Sequence, residues 1–134
     1  LEDPLASMAT LVTPLRSHEE AALPSIVKCV LDRQNNALYF SRALIPSNKT
    51  QSFNTHAAYF RHIGLYVYRP AFLLHYQSLK PTPLQLEEDL EQLKVLEHGF
   101  RIKAAVTDRA CIGVDTPEDL KQVEQWLCKQ NSYS

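Results

Sequence analysis

Four stretches of this chain carry residue types and spacings that could do chemistry. The first is GVDTPEDL, Gly113 to Leu120. Thr116 suits a helix N-cap and Pro117 the first helical position, where no N–H is needed. Glu118 and Asp119 favour the positive end of the helix dipole. Those roles leave Asp115 over. By local rules it is a turn residue; chemically, a lone carboxylate completed by water and phosphates is how Mg²⁺ is usually held. The second is the strand Tyr59 to Tyr68, whose side chains alternate between two faces. Ile63, Leu65 and Val67 are expected on the core side. Phe60, His62, Gly64, Tyr66 and Tyr68 share the other. A glycine inside a strand often marks close approach of a ligand or of another backbone, so His62, Gly64 and Tyr66 could floor a polar site. A solvated face with a glycine bulge fits the same pattern. The third is Arg42 in YFSRALIP, at the end of an apolar strand. There it could grip a carboxylate or phosphate bidentately, or serve a structural ion pair. The fourth is Glu91 in EEDLEQLKVL, on a helix edge with Leu84 and Val95. It is either partly desolvated or bound to a donor there, or it is an ordinary surface acid.

Other chemistries find little support. His18, His56, His75 and His98 are scattered, without a second ligand at metal spacing. Cys29, Cys111 and Cys128 form no C-x-x-C and read as buried thiols in a reducing compartment. No nucleophile elbow and no phosphate-cradling glycine loop occurs. A net charge of -1 gives no basic footprint for nucleic acid, and no apolar run reaches membrane-spanning length. The start LEDPLASMATL lacks the order of a secretory signal. At 134 residues and 45% apolar content, the chain can bury one core.

The elements that must position these residues follow from patterning. ASMATLVTPL reads as a strand, and SHEEAA as a short helix capped by Ser17. The runs IVKCVLD and ALYFSRAL flank RQNN as a hairpin, with Asn35 and Asn36 tolerating positive φ. Ser47 to His56 is polar and aperiodic, a mobile loop. After the strand to Tyr68, Pro70 opens one helix. PTPLQLEEDLEQLKVLEHG reads as a second, continuous one, carrying the stripe Leu86, Leu90 and Leu93 and closed by Gly99. FRIKAAVT is a strand. The last helix runs from Pro117 to about Lys129, with Leu120, Val123 and Leu127 on one face. The mixture predicts an α/β layer with a partly antiparallel sheet.

Taken in order, VKCVLD…ALYFSRALIP, RHIGLYVYR, LEEDLEQLKVLEHG and GVDTPEDL resemble the CMP-Kdo synthetase family, the 3-deoxy-manno-octulosonate cytidylyltransferases. The resemblance runs from MATL to the last helix. It implies an α/β, nucleotide-diphospho-sugar transferase-like (nucleotidyltransferase) fold with a mixed sheet, of which this chain is the C-terminal portion. It implies CTP and the sugar acid Kdo as substrates, Mg²⁺ as cofactor, a cytoplasmic location, lipopolysaccharide synthesis as the use of the product, and a homodimer. Nucleic acid and membrane are not implied partners. The resemblance assigns Arg42, His62, Tyr66, Glu91 and Gln92 to the sugar pocket, with Arg42 pairing the sugar carboxylate. It makes Asp115 the metal ligand and, with Arg42, a catalytic residue.

Two departures matter. The family's opening P-A-R…S-x-R-L-P-x-K-P-L segment and its Q-G-D-E-P segment, with the CTP-phosphate contacts and the other metal aspartate, do not occur here. The expectation is therefore a chain without the N-terminal CTP-binding part and inactive by itself. The smaller departure is Gln85 in PLQLEEDL, where the family more often has glutamate. Two other readings stay open: a non-catalytic folding or dimerisation module, and a cytidylyltransferase acting on a nine-carbon sugar acid.

Overall fold

The computed structural model describes residues 3–108 and 117–131. Five strands form one sheet: β1 (Ala6–Leu15), β2 (Lys28–Leu31), β3 (Ala37–Ser41), β4 (Tyr59–Tyr68) and β5 (Arg101–Val106). Their spatial order is β3-β2-β4-β1-β5. Only β1 and β5 run parallel; the other pairs are antiparallel, giving the expected mixed sheet. The helices are α1 (His18–Ala22), α2 (Pro70–Tyr76), α3 (Pro83–Glu88), α4 (Glu91–Glu97) and α5 (Pro117–Asn131).

Alternation along β1 builds the core. Ala6, Met8, Thr10 and Val12 are buried, with half-buried residues between them. Met8 and Val12 pack with Cys29, Phe40, Leu93 and Ile102 in the main cluster. Burial pushes the Cys29 thiol up to about 12, so it stays protonated and behaves as a small hydrophobe. The sheet curls until its edges meet. Asn36 bridges Lys103, and Ala104 N–H donates to Asn35 O at 2.8 Å. In the hairpin turn only Asn35 has positive φ (60°). Asn36 is instead held by Asp32, whose carboxylate accepts from the Asn36 backbone and side-chain amides at 2.7 and 2.8 Å. Ser17 caps α1 as read from the sequence. Residues 47–56 hold no helix or strand, yet Phe53 stacks on Tyr59 at 4.5 Å.

Three expectations are corrected. The continuous helix over 81–98 is two helices, because Asp89 turns left-handed (φ 53°, ψ 52°). Breaking there frees Leu90 and Leu93 to turn into the core while Leu86 stays exposed. Gly99 (φ 80°) does close α4. Phe100 N–H reaches Val95 O and Gly99 N–H reaches Leu96 O, the paired bonds of a Schellman end. The second correction inverts β4: Phe60, Tyr66 and Tyr68 pack against the core, whereas Leu65 and Val67 are 57% and 56% exposed. The ring-bearing face is the one that lies over the main cluster with Phe40 and α2, so the aliphatic residues are turned outward. The third is that Cys128 is exposed, not buried.

Candidate functional site

The inward face of β4 is shaped by an irregularity. Val12 pairs with His62 and Leu11 with Ile63, but Thr10 pairs with Tyr66, so Gly64 and Leu65 bulge out of the ladder. A Cβ on Gly64 would meet nothing within 4 Å. The glycine therefore marks a bulge rather than a close approach, and the floor expected around it is formed by its neighbours. The buried Thr10 hydroxyl fills the bulge. It lies 2.9 Å from His62 Nε2, 3.1 Å from Ile63 O and 2.9 Å from Leu65 O. The His62 ring meets Phe40 edge-on at 4.9 Å and Tyr66 at 5.5 Å. Burial lowers the His62 pKa to about 4, so the imidazole is neutral at pH 7. Burial also raises the Tyr66 phenol, with Tyr68, Tyr76 and Glu91 adding to it.

From Tyr66 the rings continue through Tyr68 (6.1 Å) to Tyr76 on α2 (5.7 Å). Tyr76 Oη donates to Glu91 Oε2 at 3.1 Å. Gln85 Nε2 donates to Glu91 Oε1 at 3.0 Å, and Lys94 Nζ lies 3.5 Å from Oε2 and 4.1 Å above the Tyr76 ring. Glu91 is thus bound to donors, as one expectation had it. It is not sandwiched between apolar residues, since its side chain is 70% exposed. Gln85 is the residue that departs from the family pattern. An amide can donate to Glu91 where a carboxylate could not. Gln92 is only 4% exposed, and its Nε2 is buried without a hydrogen-bond partner. An unsatisfied buried amide costs stability, and an acceptor reaching it would remove that cost.

Arg42 stands at the other end of the same helix break. Its Nε donates to Glu88 O at 2.8 Å, Nη2 to Asp89 O at 3.2 Å and Nη1 to Pro24 O at 3.3 Å. Two of these bonds satisfy carbonyls at the α3 C-terminus and the third satisfies one just after α1, while Nη2 also lies 3.9 Å from Asp89 Oδ2, the structural ion pair the sequence left open. The bonds use three of the five guanidinium N–H groups, on a side chain 39% exposed. Glu88, which the sequence reading passed over, locks the junction. Its Oε1 accepts from Ser41 Oγ (2.6 Å) and Tyr39 Oη (3.3 Å), and its Oε2 from Arg42 N (2.9 Å). Burial pushes the Glu88 pKa up, but these donors outweigh it and hold it below the usual range. Beneath lies Lys28, fully buried, whose ammonium donates to Leu23 O, Ile26 O and Arg42 O at 2.9, 2.7 and 2.5 Å. Burial drives its pKa down while Glu88 draws it up. The only sequence signal for Lys28 was a charge within an apolar strand.

The structure thus joins His62, Tyr66 and Glu91 in one ladder, with Gln92 next to Glu91 in the chain and Arg42 at the break that starts α4. Asp115 lies outside the described residues. Among those described, no group of three His, Cys, Asp or Glu side chains could hold a metal ion. No described helix is long and apolar enough to cross a membrane.

A mixed sheet packed with helices, carrying this wall of rings, amides and carboxylate, is an α/β domain with one candidate binding face. A family profile described as cytidylyltransferase matches residues 1–103, and the chain belongs to that family. It is 68% identical to the 3-deoxy-manno-octulosonate cytidylyltransferase of Protochlamydia amoebophila, over 99% of this chain and 51% of the relative. The mitochondrial 3-deoxy-manno-octulosonate cytidylyltransferase of Arabidopsis thaliana is 45% identical, over 96% of this chain and 44% of its own length. The solved structure of a CMP:2-keto-3-deoxy-manno-octonic acid synthetase complexed with CTP superposes with a TM-score of 0.87. It is 36% identical and covers 96% of this chain and 52% of its own. The chain spans about half the length of the curated relatives it matches.

Proposed function

We propose that this chain supplies the sugar-acid half of a cytidylyltransferase that moves CMP from CTP to Kdo, giving CMP-Kdo and pyrophosphate. The reading is carried by the buried, unpartnered amide of Gln92 beside Glu91, in a chain 68% identical to a 3-deoxy-manno-octulosonate cytidylyltransferase. A sugar acid offers hydroxyls to such a wall and a carboxylate to the Arg42 guanidinium. In the reaction the anomeric hydroxyl of Kdo attacks the α-phosphorus of CTP, the bond to the pyrophosphate oxygen breaks, and the hydroxyl proton is released. No covalent enzyme intermediate is needed, so the work of these residues is orientation. His62, Tyr66, Glu91 and Gln92 read hydroxyls, and Arg42 sets the carboxylate. Asp115 is proposed as a ligand to Mg²⁺, which when bound neutralises charge on the phosphates. CTP binding is assigned to a part of the enzyme N-terminal to these residues. A cytoplasmic location, where CTP is available, a use in lipopolysaccharide synthesis and a homodimer complete the proposal. The open β4 face at Leu65 and Val67 supports the dimer.

The test is titration of the isotopically labelled 134-residue chain with Kdo, with CTP and with a nine-carbon sugar acid, followed by NMR. Kdo should shift signals of Tyr66, Glu91 and Gln92, the longer acid should do so more weakly, and CTP plus Kdo should release no pyrophosphate. Silence of those three residues toward Kdo overturns the sugar-site reading. Pyrophosphate release overturns the assignment of CTP binding elsewhere.

A further inference from the structure

Thr10 is a buried hydroxyl whose contacts exceed what a core threonine needs. Its Oγ1 lies within hydrogen-bond distance of one nitrogen and two carbonyl oxygens at once: His62 Nε2 at 2.9 Å, Ile63 O at 3.1 Å and Leu65 O at 2.9 Å. A hydroxyl has one hydrogen to donate and two lone pairs to accept with. Carbonyl oxygens only accept. An oxygen–oxygen approach of 2.9 Å is attractive only with a proton between, and that proton can come only from Thr10. The hydroxyl hydrogen is therefore committed to the bulge carbonyls. The contact with His62 must then run the other way, with Nε2–H donating to the Thr10 oxygen. The opposite arrangement would set three bare oxygens against one another in a buried site, which leaves them unsatisfied.

From this count we propose that Thr10 is a positioning residue, fixing His62 as the Nε2–H tautomer so that Nδ1 is presented as a bare hydrogen-bond acceptor for a ligand hydroxyl. The β4 bulge is the device that does it. By offering Ile63 O and Leu65 O to the same hydroxyl, it removes the ambiguity a lone threonine–histidine pair would have. The ring is also fixed in orientation, between Phe40 on its edge and Tyr66 on its flank. No described residue donates to Nδ1, so the acceptor is left for substrate. The ligand class that fits is a polyol, and its identification as Kdo rests on the function proposed above.

The test needs no ligand to begin. In the ¹⁵N-labelled chain at pH 7, imidazole spectra should show His62 Nε2 as pyrrole-type and Nδ1 as pyridine-type. A protonated Nδ1, or a mixture of tautomers in the wild type, overturns the proposal whatever any variant does. Thr10→Ser, which keeps the hydroxyl, should keep that pattern. Thr10→Val should give mixed tautomers and weaken polyol binding about tenfold, and a Thr10→Val chain with an unchanged pattern overturns the positioning role. Kdo is then added to the wild type, where the Nδ1 resonance should move on binding. Kdo that binds through Tyr66 and Glu91 signals while Nδ1 stays still overturns the acceptor role. A chain with the expected tautomer that binds no Kdo at all keeps the Thr10 assignment and rejects the sugar-site function instead.

Discussion

Two single residues carry opposite kinds of cost. Gln92 holds an amide inside the core without a partner, so Gln92→Leu should raise the urea midpoint, by about 1 kcal/mol of stability. The same change should weaken Kdo binding in the NMR titration. A variant that is less stable would show that the amide has a structural partner after all. His62 is neutral in the fold because burial lowers its pKa to about 4, against about 6.5 for a free imidazole. The unfolded chain therefore takes up the proton first as pH falls. The stability this residue supplies is whole above about pH 6.5 and is lost between there and about pH 4, at most about 3 kcal/mol. Urea midpoints at pH 7 and pH 4.5 should fall more for the wild type than for His62→Phe, and equal falls would refute it. Both side chains were visible in the sequence as parts of motifs. Their energetic roles were not, because orphaning and desolvation depend on what packs above a residue.

At the scale of elements, the break between α3 and α4 decides how Arg42 and Glu91 share one region. It rests on Asp89 in a left-handed conformation that β-branched residues resist. Asp89→Val should cost about 1–2 kcal/mol in urea unfolding, while Asp89→Gly should be close to neutral. An equal cost for both would place the effect in the Arg42–Asp89 ion pair, whose charged atoms lie 3.9 Å apart, instead. Elements were largely legible: all five strands, the Ser17 cap and the Gly99 stop follow from local chemistry. The break at Asp89 was hidden because Leu86, Leu90 and Leu93 fit one helical stripe as well as two short helices. The face of β4 was misassigned for a related reason. Period-two patterning fixes which residues share a face, but Ile63, Leu65 and Val67 outrank His62 and Tyr66 in hydrophobicity. Here the rings line the inner side, packed with Phe40 and with Tyr76 of α2. Asp115 drew its meaning from order along the chain, which places it after the other motifs in the family arrangement.

At the scale of the whole molecule, the outer face of β4 leaves Leu65 and Val67 open. Light scattering of the 134-residue chain should give twice its 15.3 kDa mass, and Leu65→Lys should return it to one. A monomer in both cases would remove the dimer from the proposal. The strand order has a further consequence, one of timing. β1 sits between β4 and β5, and both are made after it. At about 5–20 residues per second on the ribosome, Val12 meets His62 and then Val106 only after several seconds. Until then Met8 and Val12 lie on an unpaired strand, while the β2–β3 hairpin can close at once from its own neighbours. Ala6–Leu15 must therefore stay incompletely paired until both partner strands have been made, a vulnerability in time that the finished sheet conceals.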